Sequence, residues 1–563
     1  MSYLNEYQKW LQFEGLEESL KVQLKQMSED EKEDAFYKEI QFGTAGMRGV
    51  VGPGINRMNQ YTVTKANLGF AKYLLTHEED AKSKGVVIAH DNRHMSKEFA
   101  YHSACVLATK GIKTYLFDTL KPTPELSFAV RHLDAAGGIV ITASHNPSEY
   151  NGYKIYDSRG CQYVPAMGEI VINYVSEVDD VFTFELGQDC DSLITYIGEE
   201  IDNAYMEKLK EIRLRKDVDA SKMKIVFTPL HGTSAVLGER VLNEFGYNYQ
   251  CVASQMVPDP DFTTVNSPNP EDKEAFKVAI EFANENGGDL IIATDPDADR
   301  LGIAVKNGDD YVLLTGNETG ALLINYILTT RQEFSTLPKH GVIYDTIVTS
   351  SLGRSIGFNF GMENVQTLTG FKFIGEQAYL IEDTEKEFVF GYEESYGYVI
   401  KDFVRDKDSL QAIILASEAA AYYFNQGISL LDKLEEIYAT YGYYTSETVN
   451  IKLEGKAGEE RIKRILSTFR EEKIDSVNGL NVSIKEDYLN SIIEKNGEVK
   501  ALTLPKSNVL KFTLEDGSWF VLRPSGTEPK LKVYFEVKGN SKENGLELLE
   551  QVKKDVLERV EKI

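Results

Sequence analysis

Short apolar runs alternate with longer amphipathic stretches through most of this chain of 563 residues, and this alternation constrains its fold most. Apolar runs of about four to eight residues suit buried strands, whereas apolar residues recurring every third or fourth position indicate helices. Successive pairs of such elements are typical of parallel βα units. In a first region the pattern predicts strands over 86–89, 114–117 and 138–142, and helices over 97–110 and 125–133. In a second it predicts strands over 224–228 and 289–293, and helices over 203–212, 235–245 and 273–286. A third, starting near residue 310, has predicted strands over 311–314 and 341–348, and helices over 318–329 and 409–424.

The last hundred or so residues follow a different pattern. Two strand-like runs, 509–513 and 518–522, flank Glu515-Asp516-Gly517, which is a hairpin signal. A further run, 531–537, alternates like a half-buried strand, and apolar residues from Leu549 to Ile563 recur at helical spacing. We therefore predict a small α+β domain with an antiparallel sheet, joined to the preceding region by a charged linker near 454–461.

Length, charge and cysteine content narrow the class of protein. A chain of this length corresponds to about three or four domains. The net charge of −27 argues against binding to nucleic acid and against adhesion to anionic membranes. The four cysteines, none in a CxxC pair, predict neither a disulfide framework nor a zinc site. Without an apolar leader or a run of about 18 apolar residues, the expected location is the cytoplasm.

One loop concentrates groups that carry chemistry. It reads Ile141-Thr-Ala-Ser144-His145-Asn-Pro147, with Lys154 shortly after it. The apolar run before Ser144 predicts a buried strand, and Pro147 keeps the loop from continuing as a helix. Open α/β sheets bind ligands beyond the carboxyl ends of their strands. A serine and a histidine in one loop are also common in ordinary turns, so the interpretation depends on other motifs.

A second loop carries three carboxylates after an apolar strand, in Asp295-Pro-Asp297-Ala-Asp299-Arg300. Near-extended backbone places alternate side chains on one side, so we predict that the three carboxylates converge. Their mutual repulsion favours a bound cation, and oxygen ligands suit Mg²⁺. A plain Asp-rich turn is the alternative. A calcium loop would need Gly at its sixth position and Glu at its twelfth, where this chain has Arg300 and Lys306, and 301–305 is predicted to be a strand.

Four further polar segments indicate a function only when they are taken together with the other motifs. The segment Gly391-Tyr-Glu393-Glu-Ser395-Tyr-Gly397 offers acceptors for sugar hydroxyls, and Thr369-Gly-Phe-Lys372 lies upstream of it. The segment 523–530 combines a guanidinium, hydroxyls and a glycine, which is the composition of an anion-binding nest. The Gly-rich segment 42–49 carries Arg48 but matches neither common nucleotide-binding motif.

In this order and at these intervals, the motifs resemble the α-D-phosphohexomutase superfamily, most closely its phosphoglucomutase branch, from Phe42 to about Lys532. The resemblance implies an α/β fold: three related α/β domains with mixed, mainly parallel sheets, plus a C-terminal α+β domain resembling the TATA-binding-protein fold, around a central cleft. The implied domains are 1–205 with a phosphoserine loop, 206–315 with a Mg²⁺ loop, 316–445 with a sugar loop and 446–563 with a phosphate loop.

The resemblance also implies roles for individual residues. Ser144 matches the serine that carries the phosphoryl group and that holds Mg²⁺ together with Asp295, Asp297 and Asp299. His145, Arg48 and Lys154 match positions around this phosphoserine, with Lys154 as candidate general acid/base. The positions that match substrate-binding residues are Arg300, Thr369, Lys372, Glu393, Ser395, Arg523, Ser525, Gly526 and Thr527.

The implied activity is that of a Mg²⁺-dependent isomerase that interconverts glucose 1-phosphate and glucose 6-phosphate, with glucose 1,6-bisphosphate as intermediate and activator. Its partner would be a small-molecule hexose phosphate, and it would bind neither nucleic acid nor a membrane. The protein would be a monomer or a homodimer. The sugar loop is closest to the glucose-specific pattern, but Tyr392 also resembles a subgroup with phosphopentomutases and glucose-1,6-bisphosphate synthases. Phosphopentomutase or phosphomannomutase activity, a metal-dependent phosphatase and a non-catalytic phosphosugar-binding protein are the alternatives.

Overall fold

The computed structural model describes residues 3–43, 46–453, 455–495, 497–525 and 530–563. The chain divides into two compact units. The first comprises Met1–Thr319 and Phe371–Ser429, and the second Gly320–Gly370 and Leu430–Ile563. Among the described residues, no helix is both long enough and apolar enough to cross a membrane.

Helices and strands alternate over most of the chain. The α-helices are α1 (Tyr3–Gln12), α2 (Glu18–Gln26), α3 (Glu29–Phe36), α4 (Gln60–His77), α5 (Ala81–Lys84), α6 (Ser96–Thr109), α7 (Thr123–His132), α8 (Pro165–Ser176), α9 (Glu199–Leu209), α10 (Ser234–Glu244), α11 (Lys277–Asn286), α12 (Gly316–Glu333), α13 (Ser351–Asn359), α14 (Phe371–Leu380), α15 (Ser409–Phe424), α16 (Leu430–Tyr441), α17 (Gly455–Glu471) and α18 (Lys542–Glu561). The strands are β1 (Gly46–Val50), β2 (Val86–His90), β3 (Thr114–Phe117), β4 (Gly137–Ile141), β5 (Tyr150–Asp157), β6 (Ile194–Ile197), β7 (Lys224–Thr228), β8 (Asn248–Cys251), β9 (Leu290–Thr294), β10 (Leu301–Asn307), β11 (Asp310–Leu313), β12 (Gly341–Thr346), β13 (Glu363–Thr367), β14 (Glu387–Glu393), β15 (Gly397–Val399), β16 (Tyr443–Lys452), β17 (Ser476–Val477), β18 (Leu480–Asp487), β19 (Ile492–Lys495), β20 (Glu498–Ala501), β21 (Leu510–Leu514), β22 (Trp519–Pro524) and β23 (Lys530–Gly539). Short 3₁₀ turns occupy Val181–Thr183, Cys190–Leu193, Lys210–Ile212, Ala253–Gln255 and Lys273–Phe276.

The first sheet has the strand order β1-β5-β4-β2-β3-β6. Strands β4, β2, β3 and β6 run parallel to one another, β5 pairs antiparallel with β4, and β1 at the edge of the sheet pairs antiparallel with β5. Strand β4 is buried along its whole length, as expected of a strand covered on both faces. Its carboxyl end at Ile141 leads into the Ser144 loop, and β5 returns beside it carrying Lys154.

The second sheet has the strand order β11-β10-β9-β7-β8. Strands β7, β8 and β9 are parallel, whereas β10 and β11 are antiparallel. The prediction that strand 311–314 opens a third region is wrong, because β11 pairs with β10 through a tight turn at Gly308, whose φ is 64°. Glycine adopts such a φ without steric cost, which makes this local hairpin favourable.

The rest of the first unit includes an antiparallel pair, β14 and β15, and the helix α15. Almost every residue of α15 is buried, which explains why its sequence is apolar on all sides. The N-terminal helices α1 to α3, for which the sequence pattern gave no prediction, pack around an aromatic core of Tyr7, Trp10 and Phe36.

The second unit contains the parallel pair β12 and β13 and a sheet in the order β16-β23-β22-β21-β18-β19-β20. All pairs in that sheet are antiparallel, and β21 and β22 form the expected hairpin with Gly517 at φ 89°. The terminal helix α18 buries Leu549, Val552, Val556 and Val560 as its spacing predicts.

The prediction of a linker at 454–461 is wrong, because α17 begins at Gly455 within this stretch. Residue 454 itself lies outside the described residues. Further along α17, Ile462, Ile465, Leu466 and Phe469 are buried in the same core as the sheet of this unit. The charges of the stretch therefore belong to the first turns of an amphipathic helix rather than to a connecting segment.

Candidate active site

The Ser144 loop follows β4 directly, and Ser144 lies three residues after the end of the strand in a left-handed conformation with φ 52°. The backbone N–H of Ser144 donates to Thr142 Oγ1 at 2.8 Å. Its hydroxyl donates to Asp295 Oδ2 at 2.7 Å and lies 3.2 Å from His145 Nδ1. The fold thus brings together the serine and the acidic motif, which are 151 residues apart in the sequence.

Arg93, which the sequence motifs did not indicate, holds this loop through hydrogen bonds to its backbone. Its side chain is fully buried, and Nη2 donates to Ser144 O at 2.6 Å and to the carbonyl of Asn146. Its Nη1 donates to Pro147 O at 2.7 Å and to Tyr150 O at 3.0 Å. One guanidinium therefore fixes four carbonyls, which accounts for a serine held at positive φ.

The three aspartates converge, as predicted, but through a turn rather than along extended backbone. Asp295 Oδ1 accepts the backbone N–H groups of Asp299 at 3.0 Å and Arg300 at 2.9 Å, and Ala298 has φ 57°. The extended-strand argument is therefore wrong in its geometry. Local side-chain-to-backbone hydrogen bonds of an Asx kind fold the loop back on itself.

Other elements brace this acidic loop. Thr123, at the start of α7, donates its backbone N–H to Asp297 O at 2.9 Å and its hydroxyl to Asp297 Oδ2 at 3.0 Å. Thr233 N donates to Pro296 O at 2.8 Å, and a Cβ on the preceding Gly232 would lie 2.4 Å from Pro296 Cα, so only glycine fits there. Ser409, at the start of α15, donates to Ala298 O.

Two lysines lie against the carboxylates. Lys154 Nζ is 2.7 Å from Asp297 Oδ2 and 3.7 Å from Asp299 Oδ2. Lys407, which no sequence motif indicated, is 2.9 Å from Asp299 Oδ2. Burial opposes the charge on Lys407, but Asp299 and Asp406 hold its pKa above the ordinary value. Both ammonium groups partly compensate the negative charge of the loop.

The acidic cluster fits a divalent cation. One oxygen from each of Asp295, Asp297 and Asp299 lies within 4.8 Å of the others. Asp297 Oδ1 and Asp299 Oδ1 are buried and, within the described part of the chain, have no hydrogen-bond partner. Burial and the carboxylates of Asp299 and Asp297 raise the pKa of Asp295 well above its ordinary value. Unpaired carboxylate oxygens in so crowded a site are the ligands that a hard cation such as Mg²⁺ prefers.

His145, Arg48 and Arg300 surround the serine and the acidic loop. Burial, with the charges of Arg300 and Arg48, lowers the pKa of His145 well below its ordinary value, so its ring is neutral near pH 7. Arg48, on β1, donates to Asn146 Oδ1 at 2.8 Å in the same loop as Ser144. Arg300 pairs with Glu271.

The predicted sugar loop lies beside the acidic loop. Glu393 ends β14 and is buried, and its carboxylate contributes to the raised pKa of Lys407. Ser395 follows in the turn between β14 and β15. Leu301 N donates to Tyr396 O at 3.0 Å, which joins this turn to the strand after the aspartates. The structure thus brings the serine, acidic and sugar motifs together in the first unit.

The remaining predicted residues lie elsewhere. Lys372 is in the first turn of α14, with Nζ 5.5 Å from the centre of the Phe373 ring. Thr369, Arg523 and Ser525 belong to the second unit. Arg523, at the end of β22, donates to Tyr534 OH at 3.3 Å, and Ser525 N donates to Lys530 O at 2.8 Å. Gly526 and Thr527 lie outside the described residues.

Comparison with known proteins places this arrangement in a family. Descriptions of the phosphoglucomutase/phosphomannomutase domains match the chain in order: alpha/beta/alpha domain I over 39–181, domain II over 203–308, domain III over 315–441 and the C-terminal domain over 449–554. A phosphoglucomutase from Staphylococcus aureus (strain MRSA252) is 40% identical over 519 residues, which cover 91% of this chain and 92% of the relative.

Solved structures agree on the fold. A phosphoglucomutase/phosphomannomutase family protein from Burkholderia thailandensis is similar at a TM-score of 0.66 and 19% identity, over 92% of this chain and 96% of that one. The Paramecium phosphoprotein parafusin, a phosphoglucomutase, is similar at a TM-score of 0.65 and 17% identity, over 93% and 96%. The predicted fold class is thereby confirmed. The 40% identical Staphylococcus aureus relative confirms the expectation of a mutase enzyme. With its sheets, its domain order and its relatives in agreement, the chain belongs to the phosphoglucomutase/phosphomannomutase family.

Proposed function

We propose that this protein is a Mg²⁺-dependent phosphoglucomutase that interconverts glucose 1-phosphate and glucose 6-phosphate through a phosphorylated Ser144 and a glucose 1,6-bisphosphate intermediate. The observation that carries the proposal is the 2.7 Å hydrogen bond from Ser144 Oγ to Asp295, within a cluster of carboxylates. A serine hydroxyl held against a cation site suits phosphoryl transfer, which requires positioning and charge neutralisation more than covalent assistance. The family relative that is named a phosphoglucomutase supports glucose as the sugar.

Asp295, Asp297 and Asp299, with Ser144, are the residues proposed to hold the metal. When bound there, Mg²⁺ would neutralise charge on the oxygens of the transferring phosphoryl group. Lys407 and Lys154 fix the Asp299 and Asp297 carboxylates from the protein side. Thr123 adds a hydrogen bond to Asp297, and outer contacts of this kind orient metal ligands.

In the proposed forward step, the phosphoryl group leaves Ser144 Oγ and bonds to a free hydroxyl of the hexose monophosphate. The proton of that hydroxyl ends on Ser144 Oγ, and we assign its relay to Lys154, which contacts the acidic loop. The bisphosphate then turns end for end and returns its other phosphoryl group to Ser144. Neutral His145 and Arg48, which is hydrogen-bonded to Asn146, keep the serine loop in place during both transfers.

Sugar and phosphate recognition completes the proposal. Glu393 and Ser395 would accept hydrogen bonds from sugar hydroxyls, and Arg300, Thr369 and Lys372 are proposed as further substrate-binding residues. Arg523, Ser525, Gly526 and Thr527 would bind the phosphate that is not reacting, since a guanidinium suits phosphate oxygens. The domain division 1–205, 206–315, 316–445 and 446–563 is part of the proposal and is supported by the order of the matched family domains.

A comparison of sugars tests the substrate assignment. We would measure kcat/KM for glucose 1-phosphate, mannose 1-phosphate and ribose 1-phosphate with Mg²⁺ and the matching bisphosphate, while monitoring free phosphate. The proposal expects the highest kcat/KM for glucose 1-phosphate and no steady release of phosphate. A preference for ribose 1-phosphate would show that the substrate is a pentose phosphate and not a glucose phosphate. Steady release of phosphate would indicate a phosphatase.

A further inference from the structure

Two cysteines far apart in the sequence lie side by side in the first unit. Cys105 is in α6, Cys190 begins the 3₁₀ turn Cys190–Leu193, and their Sγ atoms are 2.7 Å apart across 85 residues of sequence. Cys105 is buried and Cys190 is half-buried. The sequence predicts no disulfide framework, and all four cysteines are free thiols in the structure. The absence of a CxxC pair says nothing about cysteines that are distant in sequence, and here the fold brings two of them together.

We propose that Cys105 and Cys190 are a redox pair that closes to an intramolecular disulfide under mild oxidation. A covalent S–S bond is about 2.04 Å long, so the two sulfur atoms need little movement to form one. The 3₁₀ turn and α6 already pack together, which limits the backbone adjustment. Both cysteines are free thiols in the structure, and a reducing compartment would keep them so until an oxidant is present.

The reaction balances as thiol–disulfide exchange with a low-molecular-weight disulfide such as oxidised glutathione. The Cys190 thiolate attacks one sulfur of that disulfide, forms a mixed disulfide and releases the first small thiolate. Cys105 then attacks Cys190 Sγ, the S–S bond between the two cysteines forms, and the second small thiolate leaves and takes up the Cys105 proton. Two protein thiols are oxidised and one small disulfide is reduced to two thiols.

The surroundings favour this order of events. Burial, together with the neighbouring Cys190 thiol, raises the pKa of Cys105 to about 12, so Cys105 is not the first nucleophile. The half-buried Cys190 is the thiol that an oxidant can reach. The same surroundings disfavour a metal, which would need two thiolates. Among the residues that the structure describes, Asp191 alone adds a third possible ligand, and its exposed carboxylate already accepts a hydrogen bond from Tyr101 at 2.9 Å.

The disulfide would act on stability rather than on the chemistry of the Ser144 loop. It would join α6 to the connection that precedes β6 and close a long loop, which removes conformational freedom from the unfolded chain. We expect the thermal midpoint of the oxidised protein to rise by several degrees while turnover stays unchanged. The inference does not depend on which sugar phosphate the enzyme uses.

Peptide mapping of the full-length protein tests the pair directly. The protein is equilibrated in glutathione buffers of increasing oxidised fraction, quenched with acid, alkylated and digested. The proposal expects one cross-linked product that contains Cys105 and Cys190, while Cys161 and Cys251 remain alkylated. Cys251→Ser, a matched half-buried control, should still give the product, whereas Cys190→Ser should not.

Three results would overturn the proposal. Alkylation of all four cysteines at every glutathione ratio would show that the pair does not close. A stable mixed disulfide of glutathione on Cys190 would show that Cys105 cannot resolve it. Stoichiometric binding of added Zn²⁺ that needs both cysteines and blocks the cross-link would make the site a metal site instead.

Discussion

Replacing Arg93 by methionine removes the guanidinium that anchors the Ser144 loop and keeps an unbranched stem. The guanidinium is fully buried and donates to the carbonyls of Ser144, Asn146, Pro147 and Tyr150. Methionine replaces the stem of the arginine but donates no hydrogen bond. In the variant, nothing equivalent would hold Ser144 at φ 52°.

The size of the effect follows from the strain in that conformation. A non-glycine residue held in a sparsely populated backbone region costs about 1–3 kcal/mol. The four hydrogen bonds offset this cost, so their loss lowers the population of the catalytically competent loop conformation by about 5- to 150-fold. We expect kcat to fall by that factor, with little change in KM because Arg93 contacts the loop backbone and not the expected sugar site.

The assay is steady-state turnover of glucose 1-phosphate by Arg93→Met. Arg93→Lys keeps one charged donor group, so its kcat should lie between those of the wild type and Arg93→Met. Arg240→Met is the matched control, since Arg240 pairs with Glu244 one helical turn away on α10, a contact worth about 0.3–0.5 kcal/mol. Far-UV circular dichroism verifies folding. A folded Arg93→Met with kcat within about twofold of the wild type would refute the reasoning.

Three other perturbations test separate parts of the account. In the wild type, Mg²⁺ should raise the thermal midpoint by mass action, and Asp297→Asn should make this increase smaller. An equal increase in both proteins would show that Asp297 is not a metal ligand. Phe469→Ala should destabilise the second unit by about 3–5 kcal/mol in urea unfolding, because Phe469 is buried beside Phe512; a neutral result would restore the linker interpretation of this region. Burial lowers the pKa of His102 from 6.5 to about 4 in the folded protein. Between these two pH values the unfolded chain therefore binds more protons than the folded protein, and the free energy of unfolding falls as the pH drops from 6.5 toward 4. We expect a loss of about 2 kcal/mol by pH 5, which His102→Gln should abolish; equal pH dependence in both proteins would contradict this.

Local signals in the sequence predicted most of the fold. The strand 224–228 and the helix 409–424 have the predicted bounds, because each is rich in apolar residues and has a clear start and end. The region after residue 454 was misread because its charges precede the buried face of α17 and hide its helical period. Strand β11 was assigned to the wrong region, since hydrophobic pattern alone does not say which neighbour a strand pairs with.

Some residues of the candidate site could be predicted from the sequence, and others are recognised only in the structure. Ser144 and the three aspartates stand in compact motifs, so sequence reading finds them and the fold only brings them together. Arg93 and Lys407 come from segments without such a signature, and only tertiary structure shows that they contact the two loops. The proximity of Cys105 and Cys190, which no sequence motif indicated, is likewise visible only in the tertiary structure.

The central claim is that Ser144 passes a phosphoryl group to and from a hexose phosphate. ³¹P NMR of the protein with Mg²⁺, glucose 1-phosphate and a trace of glucose 1,6-bisphosphate tests it most directly, run in parallel on the wild type and on Ser144→Ala. The account predicts that the wild type converts the 1-phosphate signal into the 6-phosphate signal without free phosphate, and that Ser144→Ala leaves the spectrum unchanged. Conversion by a folded Ser144→Ala at a rate near that of the wild type would contradict it.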